Sequence, residues 1–248
     1  MTRLRICTFG GFEARLRHAN APLTFRTRKA IALTAYLAVR GNGPSGREDL
    51  GETLWGGVAP EQSRHSVRQA LLDIRHALGP EASPILATTP DAARFDLGRI
   101  HVDVRTFERA IRRNSPQSIA LACTLYRGDF LAGLHVREPA FDHWMQNERN
   151  RLRQLAADAL QQRIGLLLEI GETASALQTA LRLLELDPFH EWGHRAILTA
   201  YVRRGQLATA QRHYTTFASQ LKQELDVDPE PETRDLLRRL LRTRGGRG

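Results

Sequence analysis

Residues 61–78 contain polar side chains whose types and spacing suit the recognition of DNA. Placed on a helix at about 100° per residue, four apolar residues form one narrow stripe: Val67, Leu71, Ile74 and Leu78. The polar side chains opposite or beside that stripe are Gln62, Arg64, His65, Arg68, Gln69, Asp73, Arg75 and His76. Arginine can bind guanine through two hydrogen bonds, glutamine can bind adenine in the same way, and arginine or histidine can bind phosphate. This helix therefore has the side chains that a major groove requires, although any surface helix is polar opposite its buried stripe.

Three further basic residues are candidate DNA contacts. Arg28 and Lys29 stand at the start of a predicted helix and can bind phosphate, and Arg94 lies on a predicted hairpin that can reach the minor groove or the backbone. Asp73 brings a negative charge to the same helix face, where it either accepts a hydrogen bond from a cytosine amine or weakens the contact. The residues assigned to DNA contact are Arg28, Lys29, Arg64, His65, Arg68, Gln69, Arg75, His76 and Arg94.

The elements that must position these residues begin with short strands. Residues 4–25 predict strands, because Leu4, Ile6 and Thr8 alternate with polar positions and a glycine pair then provides a turn. A helix follows, with Thr27 as its N-cap. The glycine-rich stretch after residue 40 ends that helix.

Two more helices and a hairpin complete the first part of the chain. We expect the second helix to open with a capping box between the Ser45 hydroxyl and the Glu48 carboxylate. Pro60 suits the first turn of the third helix, and residues 85–97 predict a β-hairpin. This order of elements predicts an α+β winged helix-turn-helix domain over residues 1–100.

The remainder of the chain predicts an all-α domain over residues 101–241. Four residue pairs match at a spacing of 34: Ile164 and Leu198, Leu167 and Tyr201, Gly171 and Gly205, Ala176 and Ala210. A glycine between helices and a small alanine where two helices touch are typical of a tetratricopeptide-like repeat. Residues 242–248 predict a disordered basic tail.

Length and composition favour a soluble intracellular protein, and DNA binding would make its cytoplasmic location nucleoid-associated. The 248 residues suffice for two domains, and no apolar run approaches the roughly 20 residues that a membrane span needs. The net charge of +9 comes from 34 arginines and two lysines against 27 acidic residues. Residues 1–100 contribute a surplus of 5 (14 basic, 9 acidic), which permits DNA binding without requiring it.

No group of residues predicts an enzyme, so no catalytic residue, metal ligand or cofactor is assigned. The chain lacks the H-E-x-x-H and G-x-S-x-G motifs. Cys7 and Cys123 are expected to be inert small hydrophobic residues. His190 and His194 have i, i+4 spacing without a third ligand nearby, and we expect them on exposed helix surface.

The third-helix segment SRHSVRQALLDIRHAL belongs to a pattern that continues through Leu54-Trp55 before it and Val102-Asp103 with Phe107 after the hairpin. The pattern is densest in LYRGDFLAGL, FDHWMQNERNRL, LLELDPFHEWGHRAI and QELDVDPEPETRDLL. In these segments, and from about residue 4 to 241, the chain resembles SARP-type bacterial transcriptional activators, which combine an OmpR/PhoB-like winged helix with a bacterial transcriptional activator domain (BTAD). Where the family often has Ser-Arg-Leu-Arg, this chain has Leu72-Asp73-Ile74-Arg75, so Asp73 replaces an arginine that can touch DNA.

The resemblance implies a sequence-specific DNA-binding regulator that activates transcription. Its partners would be promoter DNA with direct repeats, RNA polymerase and the sigma factor, and a second protomer bound beside it on DNA. The loop 56–60 occupies the place where OmpR-like domains touch polymerase. An interaction scaffold, whose helical repeats and winged helix bind only proteins, remains the alternative.

Overall fold

The computed structural model describes residues 3–41 and 43–245, which form two compact units. Unit 1 comprises the chain up to Arg113 together with Thr124–Leu152, and unit 2 comprises Asn114–Cys123 together with the chain from Arg153 onward. The packing therefore divides the chain differently from the predicted boundary at residue 100. Among the described residues, no helix is both long enough and apolar enough to cross a membrane.

Unit 1 begins with a three-stranded sheet of order β2-β1-β6. Strand β1 (Leu4–Cys7) pairs antiparallel with β2 (Glu13–Leu16), as the alternating sequence predicts. Strand β6 (Ile100–Val102) pairs parallel with β1, and sequence analysis missed it because three residues carry too little alternation to recognise. The side chains of Leu4 and Ile6 are almost fully buried beneath this sheet.

Helix α1 (Arg28–Arg40) begins where the sequence predicts. The Thr27 hydroxyl accepts a hydrogen bond from the backbone N–H of Ala30 at 3.1 Å, which confirms the N-cap. The buried side of α1 consists largely of alanine and leucine, so it can approach its neighbours closely.

Helix α2 (Arg47–Trp55) begins differently from the prediction, and the expected capping box is wrong. Ser45 and Gly46 form a short strand, β3, that pairs antiparallel with Ala92 and Ala93. Because sheet pairing holds Ser45, Gly46 becomes the N-cap and no side-chain capping bond forms. The Glu48 carboxylate instead accepts a hydrogen bond from Arg64.

Helix α3 (Pro60–Leu78) has Pro60 in its first turn, as predicted. A 3₁₀ turn (Gly79–Glu81) and the short helix α4 (Ala82–Ile85) follow it. Strands β4 (Leu86–Thr88) and β5 (Ala92–Phe95) then form the predicted hairpin, which joins β3 in a sheet of order β3-β5-β4. The three longer helices and the hairpin thus follow one another in the predicted order, with strand β3, the 3₁₀ turn and helix α4 as additional elements between them.

The rest of unit 1 is held to the first sheet by a buried carboxylate. Asp103 opens helix α5 (Asp103–Arg113) and accepts hydrogen bonds from the backbone N–H groups of Thr8 and Phe9 and from the Thr8 hydroxyl, at 2.7–3.0 Å. Arg149 donates hydrogen bonds to the carbonyl oxygens of Phe130 and Leu131. These bonds hold together the second segment of unit 1, Thr124–Leu152.

The secondary-structure elements of unit 2 are all helices among its described residues. Helices α6 (Pro116–Leu125) and α7 (Pro139–Glu169) run across the division between the units. The remaining helices are α8 (Thr173–Leu186), α9 (Glu191–Arg203), α10 (Leu207–Leu225) and α11 (Pro231–Gly245). Helix α11 covers the first part of the predicted tail, and residues 246–248 of that prediction lie outside the described residues.

The 34-residue spacing corresponds to two turns of nearly identical geometry. Gly171 and Gly205 have φ angles of +81° and +80°. The N–H of the following residue donates at 2.9 Å in both turns, from Glu172 to the Leu167 carbonyl and from Gln206 to the Tyr201 carbonyl. Ala176 and Ala210 are both buried, at 1% and 0% exposure. The sequence repeat therefore predicts a repeated helical hairpin correctly.

Candidate nucleic-acid interface

Helix α3 has one buried side and two exposed stripes. The predicted apolar stripe is confirmed, because Val67, Leu71, Ile74 and Leu78 are each at most 3% exposed. The first exposed stripe contains Arg64, Arg68 and Arg75, which fall within about 40° of one another around the helix axis. The second contains His65, Gln69, Leu72 and His76, which fall within about 60°.

Two residues of the arginine stripe, Arg64 and Arg68, border a groove of about 560 Å³ that also includes the hairpin turn at Pro90 and Asp91. We call this the second groove, because it is the smaller of the two grooves that border α3. Arg64 forms an exposed ion pair with Glu48 at 2.7 Å, and Arg75 donates a hydrogen bond to the Thr88 hydroxyl on β4. Exposed pairs of this kind contribute little to stability, so both arginines can exchange these partners for a phosphate.

Arg47 joins the second groove, and sequence analysis missed it. Burial, followed by the positive charges of Arg68 and Arg75, lowers the pKa of the Arg47 guanidinium. Its Nε atom is buried and has no hydrogen-bond partner among the described residues. The signal in the sequence is that Arg47 stands at the start of α2. The predicted capping box, however, interprets residues 45–48 as helix capping and assigns no ligand to Arg47. Three guanidinium groups therefore line this groove, and an anion would bind them in competition with the three carboxylates that also line it, those of Glu48, Asp49 and Asp91.

The second exposed stripe borders a larger groove of about 910 Å³, which we call the first groove. Arg26, which precedes the N-cap of α1, and Arg28 and Lys29 in the first turn of α1 line it beside His65, Gln69 and His76. Leu72 also lines it and is 38% exposed, and this residue was not among the predicted contacts. A glutamine and two histidines beside an apolar side chain can meet base edges and a thymine methyl group.

The expected position of Asp73 is wrong. Its side chain is buried and its Oδ2 atom accepts hydrogen bonds from the backbone N–H groups of Arg26 and Thr27, at 2.9 and 3.3 Å. Asp73 therefore satisfies N–H groups just before α1, and the carboxylate does not extend from the exposed face of α3. Leu72 lies exposed beside it.

Arg28 and Lys29 are neighbours in sequence but differ in their partners. Arg28 is exposed and lines the first groove. Lys29 is half-buried, pairs with Glu138, and lies 5.2 Å from the centroid of the Trp55 ring. The Lys29 charge is therefore already neutralised within unit 1.

Arg94 is separate from the other predicted contacts. It is exposed on β5 and lines a different groove of about 390 Å³, with Leu37, Pro84 and Ala87. Its neighbours Ala93 and Phe95 are buried, so alternation along the strand turns Arg94 to the other face of the hairpin. The structure does not bring Arg94 to either groove beside α3.

The histidine pair that sequence analysis weighed for metal binding has a structural role. His190 caps α9, since its Nδ1 atom accepts from the N–H of Gly193 at 3.2 Å. His194 is buried rather than exposed, and it forms a hydrogen bond to His213 at 3.0 Å. Among the described residues, no group of three or more His, Cys, Asp or Glu side chains can hold a metal ion.

Burial raises the pKa of the Cys123 thiol to about 11, which makes it a poor nucleophile.

Known proteins with similar sequences are regulatory proteins. The chain is 28% identical to the regulatory protein AfsR of Streptomyces griseus over 85% of its own residues, and spans 22% of the length of that relative. It is 24% identical to the transcriptional regulatory protein MoaR1 of Mycobacterium tuberculosis, covering 94% of this chain and 78% of that one.

A solved structure and a family profile also match this chain. The solved structure of Mycobacterium tuberculosis EmbR in complex with a low affinity phosphopeptide superposes with a TM-score of 0.74 at 21% identity, covering 98% of this chain and 66% of that chain. It shares the mostly helical fold with a small N-terminal sheet region. The sequence profile of the bacterial transcriptional activator domain matches residues 95–241. That match confirms the BTAD part of the SARP-type resemblance and spans more than half of the residues, so the chain belongs to the bacterial transcriptional activator domain family.

Proposed function

We propose that this chain is a sequence-specific DNA-binding transcriptional regulator that activates its promoters. The observation that carries the proposal is the pair of exposed stripes on α3, one of arginines and one of base-reading types, each beside a groove with further cations. A helix in the major groove meets base edges along its centre and a phosphate chain on either side. Gln69 and its neighbours would read bases, while Arg64, Arg68 and Arg75 would bind phosphate or guanine.

The order of elements supports a winged-helix mode of docking. In that mode α3 is the recognition helix and the β4–β5 hairpin is the wing. The turn of the hairpin lies beside Arg64 and Arg68 in the second groove, where it can follow the DNA backbone. Repeated hairpins in α7–α10 would form a tetratricopeptide-like activation domain.

Recruitment of RNA polymerase through its sigma factor is the activating step that we infer. All five residues of the loop 56–60 are exposed, including Val58 at 39%. An exposed loop that joins α2 to the recognition helix can bind a protein while α3 occupies DNA. Binding of two protomers to direct repeats would place two such loops along one face of the promoter.

The test is selection of sheared genomic DNA by the purified chain at two salt concentrations. We expect enrichment of a repeated motif with half-sites about 10–10.5 base pairs apart, centre to centre. Arg68→Ala should weaken binding to all sequences and lower the salt slope by about one, whereas Gln69→Ala should change the preferred sequence and keep the slope. Arg17→Ala, an exposed loop arginine that lines neither groove beside α3, is the matched control.

The interaction scaffold gives a different result in the same experiment. A scaffold would enrich no sequence at the lower salt although the purified chain is folded. The Arg68→Ala and Gln69→Ala variants would then behave like Arg17→Ala. That outcome would contradict the DNA-binding proposal and direct the search to a protein partner.

A further inference from the structure

The lining of the first groove includes a segment that lies far along the chain from the three helices. Residues 135–138 contribute His135, Val136 and Arg137 to the groove. These residues belong to the part of the chain that matches the activator domain, yet they pack within unit 1. The groove beside α3 is therefore built by both parts of the sequence.

Residues 135–138 are fixed at several points. Val136 is buried, and the Glu138 carboxylate pairs with Lys29 on α1. The residues just before this segment are also held, because Arg149 donates hydrogen bonds to the carbonyl oxygens of Phe130 and Leu131 at 2.7 and 2.8 Å. His135 and Arg137 remain exposed between these anchors. The segment thus holds two basic types of side chain at the rim of the groove.

The backbone of Arg137 has a conformation that arginine rarely adopts. Its φ angle is +58°, in the left-handed region where a side chain is unfavourable and glycine is preferred. Packing on both sides of the residue maintains this conformation. Because strained backbone positions cluster at functional sites, this conformation motivates the hypothesis that the Arg137 side chain binds a ligand.

The charges of the groove leave Arg137 available for an anion. Lys29 is neutralised by Glu138, and the Asp73 carboxylate is occupied by backbone N–H groups. No described residue forms an ion pair with Arg28 or Arg137. Asp142 is the other acidic residue that lines the groove. Arg28 and Arg137 line this groove beside the α3 stripe suited to base edges, which is where a phosphate chain would run if α3 reads bases.

We propose that residues 135–138 form a second DNA contact, in which Arg137 binds a backbone phosphate beside the base pairs that α3 reads. This inference rests on the proposed function and extends it to the activator part of the sequence. The arginines of the second groove would hold one strand, and Arg28 with Arg137 would hold the other. Arginine suits this role because its planar group can bind two phosphate oxygens at once.

The experiment measures the affinity of the full chain for its selected duplex as a function of salt concentration. Arg137→Ala should weaken binding about tenfold, the loss of one charge-assisted hydrogen bond. It should also lower the slope of log K against log salt by about 0.9. Arg137→Lys should keep the slope, and Arg17→Ala should behave like the wild type.

A glycine variant separates loss of contact from loss of folding. Arg137→Gly should fold at least as stably as the wild type, because glycine accepts the positive φ angle, but should bind as weakly as Arg137→Ala. Ethylation of single phosphates should identify one flanking position that impairs the wild type and no longer impairs Arg137→Ala.

Three outcomes would overturn the inference, and they are distinguishable. Equal affinity and slope in Arg137→Ala and Arg17→Ala would show that the segment does not touch DNA, while the proposed function stands. A changed sequence preference with an unchanged slope would move the contact from phosphate to a base. Failure of the wild-type chain to bind any duplex would overturn the proposed function as well.

Discussion

The carboxylate of Asp73 accepts a hydrogen bond from the backbone N–H of Arg26 at 2.9 Å, across 47 residues of sequence. This bond joins the recognition-helix candidate α3 to the chain that leads into α1. It places the start of α1, with Arg28, beside the exposed stripe of α3 that contains Gln69. Asp73, an acidic residue on the candidate recognition helix, thereby positions the segment that contains the basic residue Arg28.

Replacing Asp73 tests this relationship. Asp73→Ala should lower the free energy of unfolding by about 1–3 kcal/mol, because it leaves the N–H groups of Arg26 and Thr27 without their acceptor. Asp73→Asn should lose less, since its amide oxygen can still accept. Urea unfolding of the full chain measures both variants. A gain in DNA affinity for Asp73→Ala without loss of stability would mean that the carboxylate faces DNA after all.

Arg28 and Lys29 should respond differently to truncation, because only Lys29 has an internal partner. Lys29→Ala should lower the free energy of unfolding by about 1–3 kcal/mol, since it leaves the largely buried Glu138 unpaired, and should keep the salt slope of DNA binding. Arg28→Ala should retain stability and lower that slope by about 0.9. Thermal unfolding and salt titration distinguish the two variants. Equal slopes would contradict the separate roles.

Local signals were sufficient for much of the fold. Thr27 caps α1 as predicted, because its hydroxyl reaches an N–H only three residues away. The 34-residue repeat was readable because Gly171 and Gly205 must adopt a conformation that other residues avoid. The buried stripe of α3 follows directly from its 3.6-residue period.

The errors arose where a distant part of the chain decides the outcome. Residues 45–48 have the sequence of a capping box, but Ser45 pairs with Ala93 on β5 and is therefore part of a sheet. A helical projection places Asp73 opposite the core and cannot show that the chain before α1 covers that position. Arg47 and Arg137 reach the grooves through tertiary packing, and the local sequence indicates only that Arg47 stands at the start of a helix.

The buried histidine pair of unit 2 should make the chain sensitive to mild acid. Burial, with the nearby His194, lowers the pKa of His213 to about 4, and burial lowers the pKa of His194. The unfolded chain takes up these protons near pH 6.5, whereas the folded chain does not. The unfolded state therefore binds more protons below pH 6.5, and stability falls as the pH drops from 6.5 towards 4.

His213→Gln isolates this contribution. We expect its free energy of unfolding to change less between pH 6.5 and 4 than that of the wild type, because one imidazole no longer takes up a proton on unfolding. His18→Gln, at an exposed position of unit 1, is the matched control. Urea titrations at several pH values provide the comparison. An unchanged pH dependence in His213→Gln would assign the acid sensitivity to other groups.

Two glycines near the first repeat turn should respond to alanine in opposite directions. Apart from each glycine's own local backbone, no atom lies within 4 Å of the position that a Cβ would occupy at Gly165 or Gly171, so a clash with surrounding residues affects neither. Gly165 lies inside helix α7, where alanine should stabilise by up to about 1 kcal/mol. Gly171 has a φ of +81°, where alanine should destabilise by about 1–2 kcal/mol. Opposite shifts of the urea midpoint would establish that backbone conformation, rather than space, selects glycine at this turn, and shifts of the same sign would contradict it.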